Sequence, residues 1–403
     1  MTPHRERDPY HLRGFSQLAL DATLGLTDLV EAMHGDIARP TSLVRRAPPA
    51  RAPGLSGLVY RGVRWIARRV GGGLDATFAT LAPLLAEPGS SPRREAIVAA
   101  LNGVLGDHLA ATSNPLAIPF ELRSEGRALP QDAVALAQAV PEAKGRVVVL
   151  VHGLCCSDLH WRRRGHDHGA ALARDLGASA IYARFNSGLH VSENGRAFAE
   201  ALETMVRNWP VPVERLEIVA HSLGGLVARS ACHFAEGAGH AWRARLGHLI
   251  CLGTPHHGAP LERGGLWLHR ILGAVPYARA LARLGRIRSA GITDLRHGNL
   301  LEADWRHRDR FAPEGDRRQP VPLPAGVVSC AAAALSGRRS GRLRAATVGD
   351  GLVPLDSALG RHADPSRALD FAPERLWIGR GLGHLDLLDR PAVYERIRAW
   401  LDD

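Results

Sequence analysis

The run Leu216-Glu217-Ile218-Val219-Ala220-His221-Ser222-Leu223-Gly224-Gly225 constrains this chain more than any other stretch. An apolar, β-branched segment ends abruptly in small residues, and a helix-compatible segment, residues 226–233, follows at once. A strand that turns so sharply into a helix brings the two backbones nearly into contact, so the flanking positions must be small. The same turn lifts one hydroxyl, that of Ser222, clear of a sheet and onto a helix N-terminus. The pattern is G-x-S-x-G with Ala220 in place of the first glycine. Five residues recur by chance in unrelated chains, so the rest of the sequence has to decide what this turn is for.

Its surroundings read as alternating strands and helices. Arg146-Val147-Val148-Val149-Leu150-Val151 is a continuous apolar, β-branched run, the pattern of a strand buried on both faces. Helix follows near 169–176, strand at 178–185, helix at 193–207, then the serine-bearing strand and its helix, then strand at 248–252. After an Arg/Leu/Gly-rich insert at about 260–320, strand resumes at 327–331 and 375–378, and 391–401 closes the chain as a helix begun by Pro391. Residues 118–123 supply one more strand. This alternation predicts an α/β fold with a mostly parallel central sheet flanked by helices. The preceding part is helical throughout, with segments at 58–85 and 93–111 and a Pro/Arg-rich stretch at 46–53. Two regions are expected: an N-terminal helical extension, 1–114, and a main domain, 115–403.

Composition limits the class of protein. Of 403 residues, 45% are hydrophobic and 23% charged, enough apolar material for a large core. The net charge is +11, nearly all from arginine, with Lys144 the single lysine. The arginines are scattered and only short runs such as Arg162-Arg163-Arg164 stand out, so they read as compositional bias, and no nucleic-acid-binding motif accompanies them. Arg61, Arg64, Arg68 and Arg69 beside Trp65 leave a peripheral membrane-surface contact open as the alternative to packing on the main domain. The five cysteines, Cys155, Cys156, Cys232, Cys251 and Cys330, have no metal-ligand spacing and fit a reducing compartment. No signal-type apolar core and no stretch of ~20 uninterrupted apolar residues is found, so the expected location is cytoplasmic.

A serine needs a general base and a group that orients the base. Both stand where the topology requires them. Gly349-Asp350-Gly351-Leu352-Val353-Pro354 lies beyond the strand near Val327, on glycines that allow a tight turn to point one carboxylate inward. Gly381-Leu382-Gly383-His384-Leu385 follows the strand near Trp377. His152-Gly153-Leu154 ends the buried strand 146–151, where the Leu154 N–H, with that of Leu223 after the serine, would form an oxyanion hole. Each station has a plainer reading: Asp350 as turn chemistry, His384 as one of 20 histidines, His152 as a ring that props its loop. His256 and His257 compete for the base but come too early, and Asp386 competes for the acid but sits two residues from His384. Four stations in the order oxyanion loop, Ser, Asp, His, each at a strand end, favour catalysis.

These residues, with Leu252-Gly253-Thr254-Pro255-His256-His257-Gly258, resemble the bacterial lipase/esterase branch of the α/β-hydrolase superfamily over about 118–403. They are also similar to PGAP-type GPI inositol-deacylase-like hydrolases. The resemblance implies a serine carboxylic-ester hydrolase with Ser222, Asp350 and His384 as triad, Leu154 and Leu223 at the oxyanion hole, no cofactor and no catalytic metal. It also implies a helical lid at about 260–320. Cys155 after the oxyanion leucine, and Trp267 and Leu268 in the insert, are the candidate substrate-binding residues. In some relatives a carboxylate just after the histidine helps hold calcium, which singles out Asp386. The expected substrate is a small-molecule or lipid ester with an apolar acyl group. Acyl transfer or thioester hydrolysis with the same triad, and a non-catalytic binding protein of the same fold, are the rival readings.

Overall fold

The structure is a computed structural model and describes residues 92–259, 289–309, 315–337 and 349–403. Its strands in chain order are β1 (Glu121–Ser124), β2 (Arg127–Ala128), β3 (Arg146–Val151), β4 (Arg162–Arg163), β5 (His166–Asp167), β6 (Ser179–Arg184), β7 (Arg215–His221), β8 (Leu246–Leu252), β9 (Val328–Leu335) and β10 (Leu376–Arg380). The helices are α1 (Pro92–Ala111), α2 (Ala133–Ala139), α3 (His168–Leu176), α4 (Val191–Asn208), α5 (Leu223–Ala238), α6 (Ala290–Asp294), α7 (Leu355–Ala358) and α8 (Pro391–Asp402).

Eight strands form one sheet in the order β10-β9-β8-β7-β3-β6-β1-β2, and β4 and β5 make a separate two-stranded hairpin. From β6 through β10 every pairing is parallel; β1 runs antiparallel to both β6 and β2. The alternation of side chains divides the core in two. Val147, Val149 and Val151 of β3 join one cluster with α1, α4 and α5, whereas Val148 and Leu150 join the other with α3 and α8. Leu172 and Trp400 anchor those last two helices. At the foot of the sheet Glu217 of β7 is fully buried and ion-paired to Arg146 at 2.7 Å and Arg215 at 3.1 Å. Arg146 also donates to the Leu401 carbonyl, which ties α8 to the sheet.

Two elements go beyond the sequence reading. β9 continues through Ala331–Ala334 to Leu335, although alanine favours helix, because it is buried and paired in parallel to β8 on one edge and β10 on the other. Residues 92–111, assigned above to the N-terminal extension, pack as α1 into the same core as the sheet. Ile97, Ala100, Leu101, Val104 and Leu109 are buried there, and Asn102 is docked through the Val98 and Leu116 carbonyls and the Ile118 amide. The remainder of that extension, 1–91, lies outside the described residues, as do residues 260–288 of the insert. Among the described residues no helix is long and apolar enough to cross a membrane.

Candidate active site

β7 ends at His221, and Ser222 turns the chain into α5 with φ 55° and ψ −124°. A residue with a side chain is held there only when the surroundings enforce it. They do so from three sides. The Ser222 amide donates to the Leu252 carbonyl at 2.8 Å, and the Gly225 amide donates back to the Ser222 carbonyl at 3.0 Å. A Cβ on Gly224 would stand 2.5 Å from the His152 carbonyl oxygen, and one on Gly225 2.0 Å from Thr254 Oγ1. Both glycines are therefore required by close approach, while Ala220 places its methyl in the core without conflict.

Opposite the elbow, residues 152–156 form the loop after β3. Gly153 is needed for proximity: its Cβ would lie 3.0 Å from Ser222 Cβ. The residue that takes left-handed backbone is instead Cys155, at φ 59°. A cysteine gives no sequence signal for that conformation. The Gly153 carbonyl can only accept, so it receives the Nδ1–H of His152 at 2.9 Å, and the Phe185 amide donates to His152 Nε2 at 3.3 Å. The ring stacks on Phe185 with centroids 4.1 Å apart, and burial pushes its pKa down to about 3. His152 is thus a neutral prop. Among the described residues no acceptor takes up the Leu154 or the Leu223 N–H, and both residues are buried. Two unused amides flank the serine, the arrangement an oxyanion requires.

Asp350 sits between Gly349 at φ 49° and Gly351 at φ 95°. Its Oδ1 accepts the amides of Leu352 at 2.9 Å and Val353 at 2.8 Å, so the turn orients the carboxylate. Its Oδ2 is left for Nδ1 of His384, 2.6 Å away, with both side chains buried. His384 begins a short 3₁₀ turn, His384–Leu388, beyond β10. His221 links that turn to the elbow: its Nε2–H donates to the His384 carbonyl at 3.2 Å, with the two rings 4.6 Å apart. Burial, with the neighbouring His384 imidazole, holds the His221 pKa well below its ordinary value. On the far side the turn is strapped by the hairpin β4–β5 and α3. Arg163 pairs with Asp389 at 2.9 Å, Arg164 with Asp386 at 3.1 Å, and His168 Nε2–H donates to the Leu387 carbonyl at 3.0 Å.

The competing residues have other partners. His256 Nδ1 faces Arg229 at 3.3 Å, and His257 Nδ1 faces Arg318 at 2.7 Å. Burial lowers both pKa values, His257 to about 4. Asp386 accepts from the Gly383 amide and from Arg164 and Arg390, a setting of positive charge that opposes a bound calcium ion. Cys155 turns its thiol toward α1, where a Cβ on Gly103 would be 2.3 Å from Sγ. Trp267 and Leu268 lie outside the described residues. Sequence reasoning missed His221 as a clasp and the loop Asn186-Ser187-Gly188; the Arg162–Arg164 run was visible but read as bias.

The strand order, with its antiparallel β1, and the strand-to-helix elbow define an α/β-hydrolase fold. More narrowly, residues 142–319 match the family model described as a PGAP1-like alpha/beta domain. That span holds the loop after β3 and the elbow, whereas Asp350 and His384 lie beyond it. No curated protein matches the sequence. Among solved structures, the mature lipase BlEst2 of Bacillus licheniformis is 17% identical, with a TM-score of 0.41, over 71% of this chain and 98% of that one. Esterase Pf2001 of Pyrococcus furiosus is 12% identical, with a TM-score of 0.37, over 64% and 83%. Phospholipase PlaB of Legionella pneumophila is 17% identical, with a TM-score of 0.36, over 54% and 46%. Likeness at this level concerns the fold alone.

Proposed function

We propose that this chain is a serine ester hydrolase acting on an apolar or fatty-acyl ester through Ser222, His384 and Asp350. The observation that carries the reading is the buried 2.6 Å pair of His384 Nδ1 and Asp350 Oδ2, tied through His221 to the elbow serine. A carboxylate only accepts, so it keeps the ring proton on Nδ1 and leaves the Nε2 lone pair to act as base. Ser222 Oγ attacks the acyl carbonyl as Nε2 takes the hydroxyl proton. The charge on the carbonyl oxygen falls to the Leu154 and Leu223 amides, each such donor being worth about 3 kcal/mol in transition-state stabilisation. The imidazolium then returns the proton to the departing alcohol, and water, deprotonated by the same nitrogen, releases the acid from the acyl-enzyme. Leu154 and Leu223 beside the serine, and the leucines of the insert, support an apolar acyl group.

A fluorophosphonate probe should label the wild-type protein, and p-nitrophenyl esters of graded chain length should be hydrolysed. Ser222→Ala should abolish both without changing the thermal transition. Labelling that persists in Ser222→Ala places the nucleophile elsewhere and overturns the reading.

A further inference from the structure

We propose that Ser187, in the loop after β6, is a positioning residue for the Leu154 amide; the inference rests on the ester-hydrolase reading above. Leu154 lies between two peptide planes. In the first, the Gly153 oxygen is held by His152 Nδ1–H at 2.9 Å and the Cys156 amide at 3.3 Å. A trans peptide sets its N–H opposite its C=O, so holding that oxygen from behind aims the Leu154 N–H the other way. In the second plane, the Cys155 N–H donates to Ser187 Oγ at 3.0 Å, and both residues are fully buried. With both planes held, the backbone at Leu154 has no freedom left. Ser187 is what holds the second one.

The load on this hydrogen bond is specific. Cys155 is in the left-handed region, which a cysteine leaves readily when nothing enforces it. Loss of the hydroxyl leaves the Cys155 N–H buried without an acceptor, and the relief available is rotation of the Leu154–Cys155 plane. That rotation carries the oxyanion amide out of line. Ser187 itself is held by other means. Asn186 Nδ2 donates to the Gly106 carbonyl at 2.8 Å, Asn194 Nδ2 donates to the Asn186 carbonyl at 2.9 Å, and the Gly188 amide donates to Asn186 Oδ1 at 3.0 Å. The Ser187 carbonyl packs where a Cβ on Gly291 of α6 would be only 2.1 Å away. Removing the hydroxyl therefore takes one hydrogen bond and leaves the loop's backbone anchored.

The test is Ser187→Ala in the full chain, with Ser187→Cys, equal in shape but a weak acceptor, as the substitute should the alanine variant fail to fold. On p-nitrophenyl octanoate kcat should fall roughly ten- to hundredfold, short of the 10²–10³ that follows outright loss of an oxyanion donor. KM should stay within about twofold, and binding of octyl trifluoromethyl ketone, whose adduct carries the oxyanion, should weaken by the same factor as kcat/KM. Amide hydrogen exchange over residues 152–157 should rise in the variant. Unchanged exchange, or a fall in kcat with undiminished ketone affinity, overturns the proposal. Absence of ester hydrolysis in the wild type, or hydrolysis that survives Ser222→Ala, instead sinks the ester-hydrolase reading, while exchange still decides what Ser187 holds.

Discussion

At the scale of single residues, Asp350 shows how one carboxylate sets a tautomer. Asparagine at 350 would keep Oδ1 for the Leu352 and Val353 amides and turn its NH₂ toward His384 Nδ1. The ring must then accept at Nδ1 and carry its proton on Nε2, which leaves no lone pair for Ser222. Asp350→Asn should lower kcat by roughly 10⁴ with the fold intact, measured as kcat beside the circular dichroism spectrum. The order Ser222, Asp350, His384 was legible because each stands on a loop of small residues after a strand pattern. Cys155 was not, since φ > 0 is announced by glycine or asparagine and Cys155 is imposed from outside by its neighbours. His221 and Ser187 were equally silent, because their roles are contacts with residues 163 and 32 positions away.

At the scale of elements, α1 was legible as a helix that packs on the main domain and illegible as one buried on nearly all sides. Its Arg94, Glu95, Asn102 and Asp107 resemble a solvated face, and Gly103 and Gly106 resemble breakers. In the fold these glycines are contact points against Cys155 and Asn186. A methyl at Gly103 would lie 2.3 Å from Cys155 Sγ and 2.8 Å from its backbone. Gly103→Ala should therefore destabilise by about 1–3 kcal/mol and disturb the loop after β3. Exposed Gly237 in α5 has nothing within 4 Å, so Gly237→Ala should stabilise by about 0.5–1 kcal/mol and leave activity alone. Chemical denaturation of both variants, beside ester turnover, checks the pair of signs. The strands of alternating or β-branched residues were read nearly to their ends; β9 was cut short because four alanines carry no strand preference of their own.

At the scale of the whole molecule, the histidines govern behaviour in acid. Burial pushes His152 to about 3 and His160 and His168 to about 4, and all three stay neutral when folded. Unfolding restores them to about 6.5, so between roughly pH 6.5 and 4.5 the unfolded chain binds more protons. Stability is fully present above pH 6.5 and declines as pH falls through that window, before the carboxylates titrate. The thermal midpoint should drop accordingly, and His168→Gln, which keeps a donor for the Leu387 carbonyl, should flatten the decline. Net charge +11 had suggested only bias, yet Arg163 and Arg164 fasten the turn that carries His384. That fastening also has an order in time. The strap is made of residues 162–168, and the turn it holds, 384–388, is synthesised more than 200 residues later. At roughly 5–20 residues per second the ribosome delivers His384 on the order of ten seconds after Ser222. Throughout that interval a nascent chain carries the elbow without its proposed base, so on the ester-hydrolase reading Ser222 stays idle until His384 has been made.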